Sequence, residues 1–247
     1  VGAPTFDFSG QAVLVTGGRR GVGVGIVRAF LAAGASVLTC GRPGEEDEGE
    51  AAVEVEGATF VTADVRQPEQ ARLAADTAVE RFGRLDVLVN VAGDSPPVTA
   101  PASPRTDESV VVGNLLAPFY CAQAAQPIMA GQAEGGAIVN VASISGRRPS
   151  AGTSAYGAAN AGLISLSATL AVEWAPFIRV SCVSFSLLET DAEGEGEVGP
   201  DGSALGADVA SACLFLASPA ATFVTGAHLM VPGGGGWPRY LTAQGQA

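Results

Sequence analysis

Short apolar runs alternate with longer stretches of helical periodicity along the chain. The runs at 12–16, 36–40, 59–63, 87–91, 137–142, 179–184 and 228–231 are rich in Val, Ile and Leu and predict strands. Between them, 23–33, 68–82, 108–129, 154–174 and 207–216 predict helices. A strand that is apolar on both faces must be covered on both faces. Strands of that kind, each followed by a helix, predict an α/β architecture with a doubly wound parallel sheet of about seven strands in three α/β/α layers. No break in composition marks a boundary and no internal repeat is present, so one domain over 1–247 is expected. Residues 44–57 carry Glu45, Glu46, Asp47, Glu48 and Glu50 and read as a solvated acidic loop. Residues 191–206, rich in Gly, Glu and Asp, read as a mobile surface segment near the carboxyl edge of the sheet.

Composition narrows the function classes. A hydrophobic content of 47% with 15% charged residues can bury a large core and excludes a disordered chain. A net charge of −12 argues against nucleic acid and against anionic membrane as partners. All 13 basic residues are arginine, and lysine is absent. Cys40, Cys121, Cys182 and Cys213 lie in apolar stretches with no C-x-x-C spacing, so buried free thiols and a reducing cytoplasm are expected. His228 is the sole histidine, which leaves little for a metal site or a Ser-His-Asp triad. Neither a signal-peptide pattern nor an apolar run long enough to cross a membrane is read, and the start at Val1 implies a processed terminus.

The first strand runs into Thr-Gly-Gly-Arg-Arg-Gly-Val-Gly, 16–23, and then a helix. Glycines in this context let backbone N–H groups and a helix N-terminus approach a pyrophosphate without a Cβ in the way. A merely tight strand-to-helix turn is the plain alternative. At these residues the chain resembles the short-chain dehydrogenase/reductase family, over nearly its full length. The resemblance implies a Rossmann-type fold and a nicotinamide dinucleotide held by Gly17, Arg19, Arg20, Gly21, Val22 and Gly23. It adds Asp64 and Val65 after the third strand, the element Asn90, Val91, Ala92, Gly93 after the fourth, and Thr190 near the nicotinamide amide. Asn114, Ser143 and Tyr156 match the family's catalytic Asn, Ser and Tyr, with Tyr156 lying 13 residues after Ser143. An acidic residue ending the second strand would favour NAD, and Arg there favours NADP. That strand ends Cys40, Gly41, Arg42, and Arg20 lies where NADP-using relatives place an Arg, so NADP is expected over NAD. The acidic run from Glu45 opposes that choice.

In the family a Tyr hydroxyl exchanges the substrate proton and a Ser hydroxyl holds the carbonyl oxygen. The family also places a Lys four residues after the Tyr; here that position is Asn160. Free Tyr ionises near about pH 10, and a cation some 5 Å away at an effective dielectric near 20 is worth roughly 3 kcal/mol, or about two pKa units. Asn160 can hydrogen-bond a ribose hydroxyl but carries no charge. No lysine elsewhere can substitute, and no spacing brings Arg147 or Arg148 to the site. A second departure puts Phe185 and Ser186 where the family has Pro-Gly. Reduction needs neutral Tyr156 as an acid, whereas oxidation needs it as a base, so reduction is expected to dominate.

The leading reading is therefore an NADP(H)-dependent oxidoreductase interconverting an apolar ketone and a secondary alcohol. A non-catalytic cofactor-binding relative and an enzyme of non-redox chemistry remain as alternatives. The substrate walls are expected at 94–98, 144–149 and 187–206. The apolar surface of the two long helices predicts a homo-oligomer, dimer or tetramer. The closing segment 232–240, with Trp237 and Tyr240, either reaches a neighbouring subunit or ends as a frayed tail.

Overall fold

The computed structural model describes residues 5–42, 53–91, 93, 103–186 and 203–232. Seven strands, β1 (Ala12–Thr16), β2 (Ser36–Gly41), β3 (Thr59–Thr62), β4 (Val87–Asn90), β5 (Gly136–Ser143), β6 (Ile178–Phe185) and β7 (His228–Val231), form one sheet in the order β3-β2-β1-β4-β5-β6-β7. Every neighbouring pair is parallel. This is the doubly wound Rossmann arrangement expected from the apolar runs. Period-two alternation sends residues to opposite faces. Leu14, Leu38, Leu88, Ile138 and Val180 pack on the side of helices α2 (Pro68–Phe82), α4 (Ala117–Ala130) and α5 (Ser154–Glu173). Val13, Val37, Val87, Val139 and Val183 pack on the side of α1 (Gly21–Ala32) and α6 (Ser203–Ala217). All five β1 residues are buried, as a central strand requires, while the edge strands β3 and β7 are only partly covered.

The expected helix over 108–129 is three pieces. Helix α3 (Pro104–Val111) starts earlier, a π-helical turn spans Val112–Leu116, and α4 follows. Ser103 caps the start, its hydroxyl accepting the Thr106 N–H at 3.2 Å, with Pro104 in the first turn. That is a polar start signal, which lies ahead of the apolar periodicity. Helix α6 likewise begins at Ser203 rather than 207. Its last carbonyls, Leu216, Ala217 and Ser218, accept from the Arg179 guanidinium of β6. A cation there complements the helix dipole.

One expectation is corrected. Helix α5, 20 residues long, is apolar enough by length and composition to cross a membrane. Its small residues (Ala, Gly, Ser) hid this in the sequence. In the fold it lies against the sheet, with Ala159, Leu163, Ser167, Leu170 and Ala171 buried. The four cysteines are buried and free, as expected. Burial raises the Cys121 and Cys213 thiols and takes Cys182 to about 12, so these thiols are unreactive at neutral pH.

Candidate active site

The chain reverses direction across the sheet between β1 and β4, and open α/β sheets bind ligands in the crevice at that point. A cleft of about 470 Å3 lies at the carboxyl ends of β1 to β6. One end is built from the loop after β1. Gly17 and Gly21 adopt φ of 68° and 47°, and a Cβ on Gly23 would sit 2.3 Å from the Gly17 carbonyl oxygen. Both features demand glycine. The Gly18 N–H bonds Thr39 Oγ1 at 3.0 Å, which ties the loop to β2. Helix α1 opens toward the cleft with no side-chain cap and no acidic residue in its first turn. Its N-terminal N–H groups therefore suit an anion.

Four guanidinium groups line this end: Arg19, Arg20, Arg42 and Arg66. Arg19 lies over the Phe60 ring, 4.4 Å from its centroid. Arg66 grips Asp64 through hydrogen bonds of 2.7, 2.8 and 3.2 Å. That pairing holds the Asp64 carboxyl below the usual carboxylate range, against the opposing effect of burial. The Nε and Nη2 of Arg20 are buried without a hydrogen-bond partner. Such a group is costly unless something pairs with it. A nicotinamide dinucleotide, with its phosphates, supplies that pairing, so the residues fit the cofactor.

The other end of the cleft carries Asn114, Tyr156, Asn160 and Phe185. Tyr156 sits in the first turn of α5. Burial pushes its hydroxyl above the ordinary phenol range, partly offset by the polar side chains of Ser143 and Asn160 nearby. Ser143 ends β5, and its Oγ also accepts the Ser145 N–H at 3.2 Å. Asn160 is buried; its Oδ1 accepts the Ser143 N–H at 2.8 Å, and its Nδ2 donates to the Tyr156 carbonyl at 2.9 Å. Asn114 stands in the π-helical turn and donates to the Val110 carbonyl at 2.9 Å. A Cβ on Gly93 would fall 2.4 Å from Asn114 Oδ1, so glycine lets the strand β4 exit pass this side chain.

The structure brings together Gly17, Arg19, Arg20, Gly21, Val22, Arg42, Asp64, Val65, Gly93, Asn114, Tyr156 and Asn160 on the cleft wall. Gly23 and Ser143 stand behind it. Asn90, expected at the cofactor, does not line the cleft; its buried Nδ2 donates to Asn140 Oδ1 at 2.8 Å and the Pro118 carbonyl at 3.2 Å. Ala92, Thr190, the acidic run 45–50, the wall segment 94–98 and the closing residues Trp237 and Tyr240 lie outside the described residues. Neither Arg147 nor Arg148 lines the cleft. Arg147 instead acts on His228 of β7, whose pKa is lowered by burial and by that charge. Arg66 was missed in the sequence, although it follows Asp64 by two residues on the same loop.

Comparison with known proteins decides what this geometry belongs to. The family model for enoyl-(acyl carrier protein) reductases matches residues 17–235. L-fucose dehydrogenase from Bos taurus is 34% identical over 247 residues, spanning 92% of this chain and 90% of that protein. The 3-oxoacyl-[acyl-carrier-protein] reductase FabG from Chlamydia pneumoniae is 34% identical over 243 residues, spanning 91% and 96%. The chain belongs to the short-chain dehydrogenase/reductase family. A short-chain type dehydrogenase/reductase from Mycobacterium ulcerans superposes with a TM-score of 0.78 at 26% identity, covering 94% of this chain and 91% of that one. As a short-chain dehydrogenase/reductase, the protein is an oxidoreductase of small alcohols or ketones in a family that uses nicotinamide cofactors. Its cleft carries four guanidinium groups at one end and, among the described residues, none beside the tyrosine.

Proposed function

We propose that the protein is an NADP(H)-dependent reductase that converts an apolar ketone to a secondary alcohol. The buried, unpaired guanidinium atoms of Arg20 carry this reading. A 2′-phosphate is the part of the cofactor that gives such a fork of donors an acceptor, with Arg42 and Arg66 on the same wall. The N-terminus of α1 and the glycines of its loop would hold the pyrophosphate. When bound, the nicotinamide supplies the hydride. Tyr156 supplies the proton: kept neutral by burial, it is an acid at physiological pH and donates to the developing alkoxide. Ser143 steadies both the Tyr156 hydroxyl and the carbonyl oxygen. Val91, Val141, Pro118 and Phe185 make this end of the cleft apolar, which excludes water and suits an apolar ketone. Reduction activities in the relatives' names, such as 3-oxoacyl reductase and the ketoacyl reductase of Streptomyces violaceoruber, support a ketone as the substrate class.

A homo-oligomer is part of the same reading. Phe177 and Val172, near the end of α5, are 62% and 80% exposed, and Phe223 before β7 is fully exposed. Apolar surface of this kind favours burial against another copy. The four buried thiols suit a reducing compartment such as the cytoplasm.

The test is a fluorescence titration with NADPH and NADH, followed by a panel of ketones. NADPH binding at least tenfold tighter than NADH, with ketone-dependent oxidation of NADPH, is the expected result. Equal binding removes the NADP assignment. Binding without turnover transfers the protein to its second reading, a non-catalytic cofactor-binding relative, which the neutral residue at position 160 favours.

A further inference from the structure

We propose that Asn160 is a positioning residue: its amide links the backbones of Ser143 and Tyr156 and so sets their hydroxyls against each other. An Asn side chain offers two N–H donors and an acceptor oxygen. The oxygen takes the Ser143 N–H at 2.8 Å. Nδ2 donates to the Tyr156 carbonyl at 2.9 Å. The oxygen and one N–H donor are thus engaged inside the protein, on a residue that is 2% exposed.

The surroundings fix the length of this strut. The turn after β5, Ile144–Gly146, abuts α5 at this point: a Cβ on Gly146 would lie 2.7 Å from the Asn160 carbonyl carbon and 3.0 Å from its Cβ. The end of β5 and the first turns of α5 are therefore in direct contact, and a short amide spans them. A longer side chain has to leave this gap. The two backbones that carry the catalytic hydroxyls are fastened to one planar group, so the Ser143–Tyr156 distance is set by Asn160 rather than by a bound ligand.

Three variants of the full chain test this: Asn160→Leu, which keeps the bulk and removes every hydrogen bond; Asn160→Asp, which keeps the acceptor for the Ser143 N–H; and Asn160→Lys. Amide hydrogen exchange at Ser143 reads the tie without any cofactor. Asn160→Leu and Asn160→Lys are expected to lose protection there at least tenfold, and Asn160→Asp to retain it. NADPH affinity, read by fluorescence, should stay within threefold in Asn160→Leu. With a reducible ketone, kcat in that variant should fall about 10- to 100-fold, as misplacement of a catalytic pair implies, while the NADPH KM holds. A tenfold or greater loss of NADPH affinity with Ser143 protection intact makes Asn160 a ribose ligand and overturns the proposal. Unchanged protection with unchanged kcat overturns it as well. The proposal rests on the reductase reading only for the affinity and kcat arms. If the wild-type chain binds no NADPH, that reading fails, and hydrogen exchange at Ser143 still decides the tie.

Discussion

The two ends of the cleft are built on different principles. At the β1–β3 end the work is done by backbone and fixed charge: glycines that no other residue can replace, an uncapped helix N-terminus and four guanidinium groups. At the β4–β6 end no charge lines the wall among the described residues, and geometry is held by the Asn160 side chain, which bonds the backbones of Ser143 and Tyr156. The difference shows that affinity and chemistry are separable here. Binding is pre-paid by charge at one end, and proton transfer at the other depends on a neutral acid kept in register.

That separation can be broken from either end. Tyr156→Phe removes the proton donor and leaves the arginine end alone. Ketone reduction should drop by about 10²- to 10⁴-fold, with NADPH affinity within twofold in the fluorescence titration. Loss of affinity in that variant would merge the two ends. Arg20→Met removes the unpaired guanidinium. NADPH binding should weaken by about 10- to 100-fold, in line with roughly 1.5–3 kcal/mol for a charged hydrogen bond, while NADH binding stays put. Equal weakening for both cofactors would move Arg20 from the 2′-phosphate to the pyrophosphate.

Gly23→Ala puts a methyl against the Gly17 carbonyl oxygen. Overpacking of this kind costs roughly 1–3 kcal/mol, visible as a lower Tm, and the displaced loop should also lose both cofactors. Retention of full cofactor affinity would show that the loop yields more readily than its contacts suggest. The smallest effect concerns His228. Its pKa is lowered in the folded protein by burial and by Arg147, so the folded state disfavours its proton. Its contribution to stability is present above the unfolded pKa of about 6.5 and is lost as pH falls through the folded value. Replacing it by Gln should flatten the fall in Tm on acidification through pH 6, leaving activity at pH 7.5 unchanged. An unchanged slope would assign the acid sensitivity elsewhere.

The sequence disclosed these ends unequally. Strand and helix order follows from runs such as Val13–Val15 and from the glycine loop, because a parallel sheet covered on both faces needs continuous apolar strands. The arginine end was legible for the same local reason: Arg19, Arg20 and Arg42 stand beside the motif, and only Arg66 escaped notice. The π-helical turn around Asn114 sits inside what reads as one helix, where the periodicity gives no sign of it. Asn90 was read as a cofactor contact by motif, yet its amide bridges β4 to Asn140 and the Pro118 carbonyl. The role of Asn160 was hidden most deeply. A missing cation is visible in a sequence, but a strut between Ser143 and the Tyr156 carbonyl exists only once β5 and α5 are packed together.

The central claim is that Tyr156 works as a neutral acid with no cation beside it, among the described residues, to lower its pKa. The pH dependence of kcat/KM, measured in both directions on one ketone–alcohol pair with NADPH and NADP, tests it most directly. A neutral tyrosine must lose its proton before it can act as a base, so oxidation should rise about tenfold per pH unit to beyond about pH 10 without a plateau, while reduction stays flat over the same range. A plateau in oxidation below pH 9 would show that Tyr156 ionises easily and would contradict the claim.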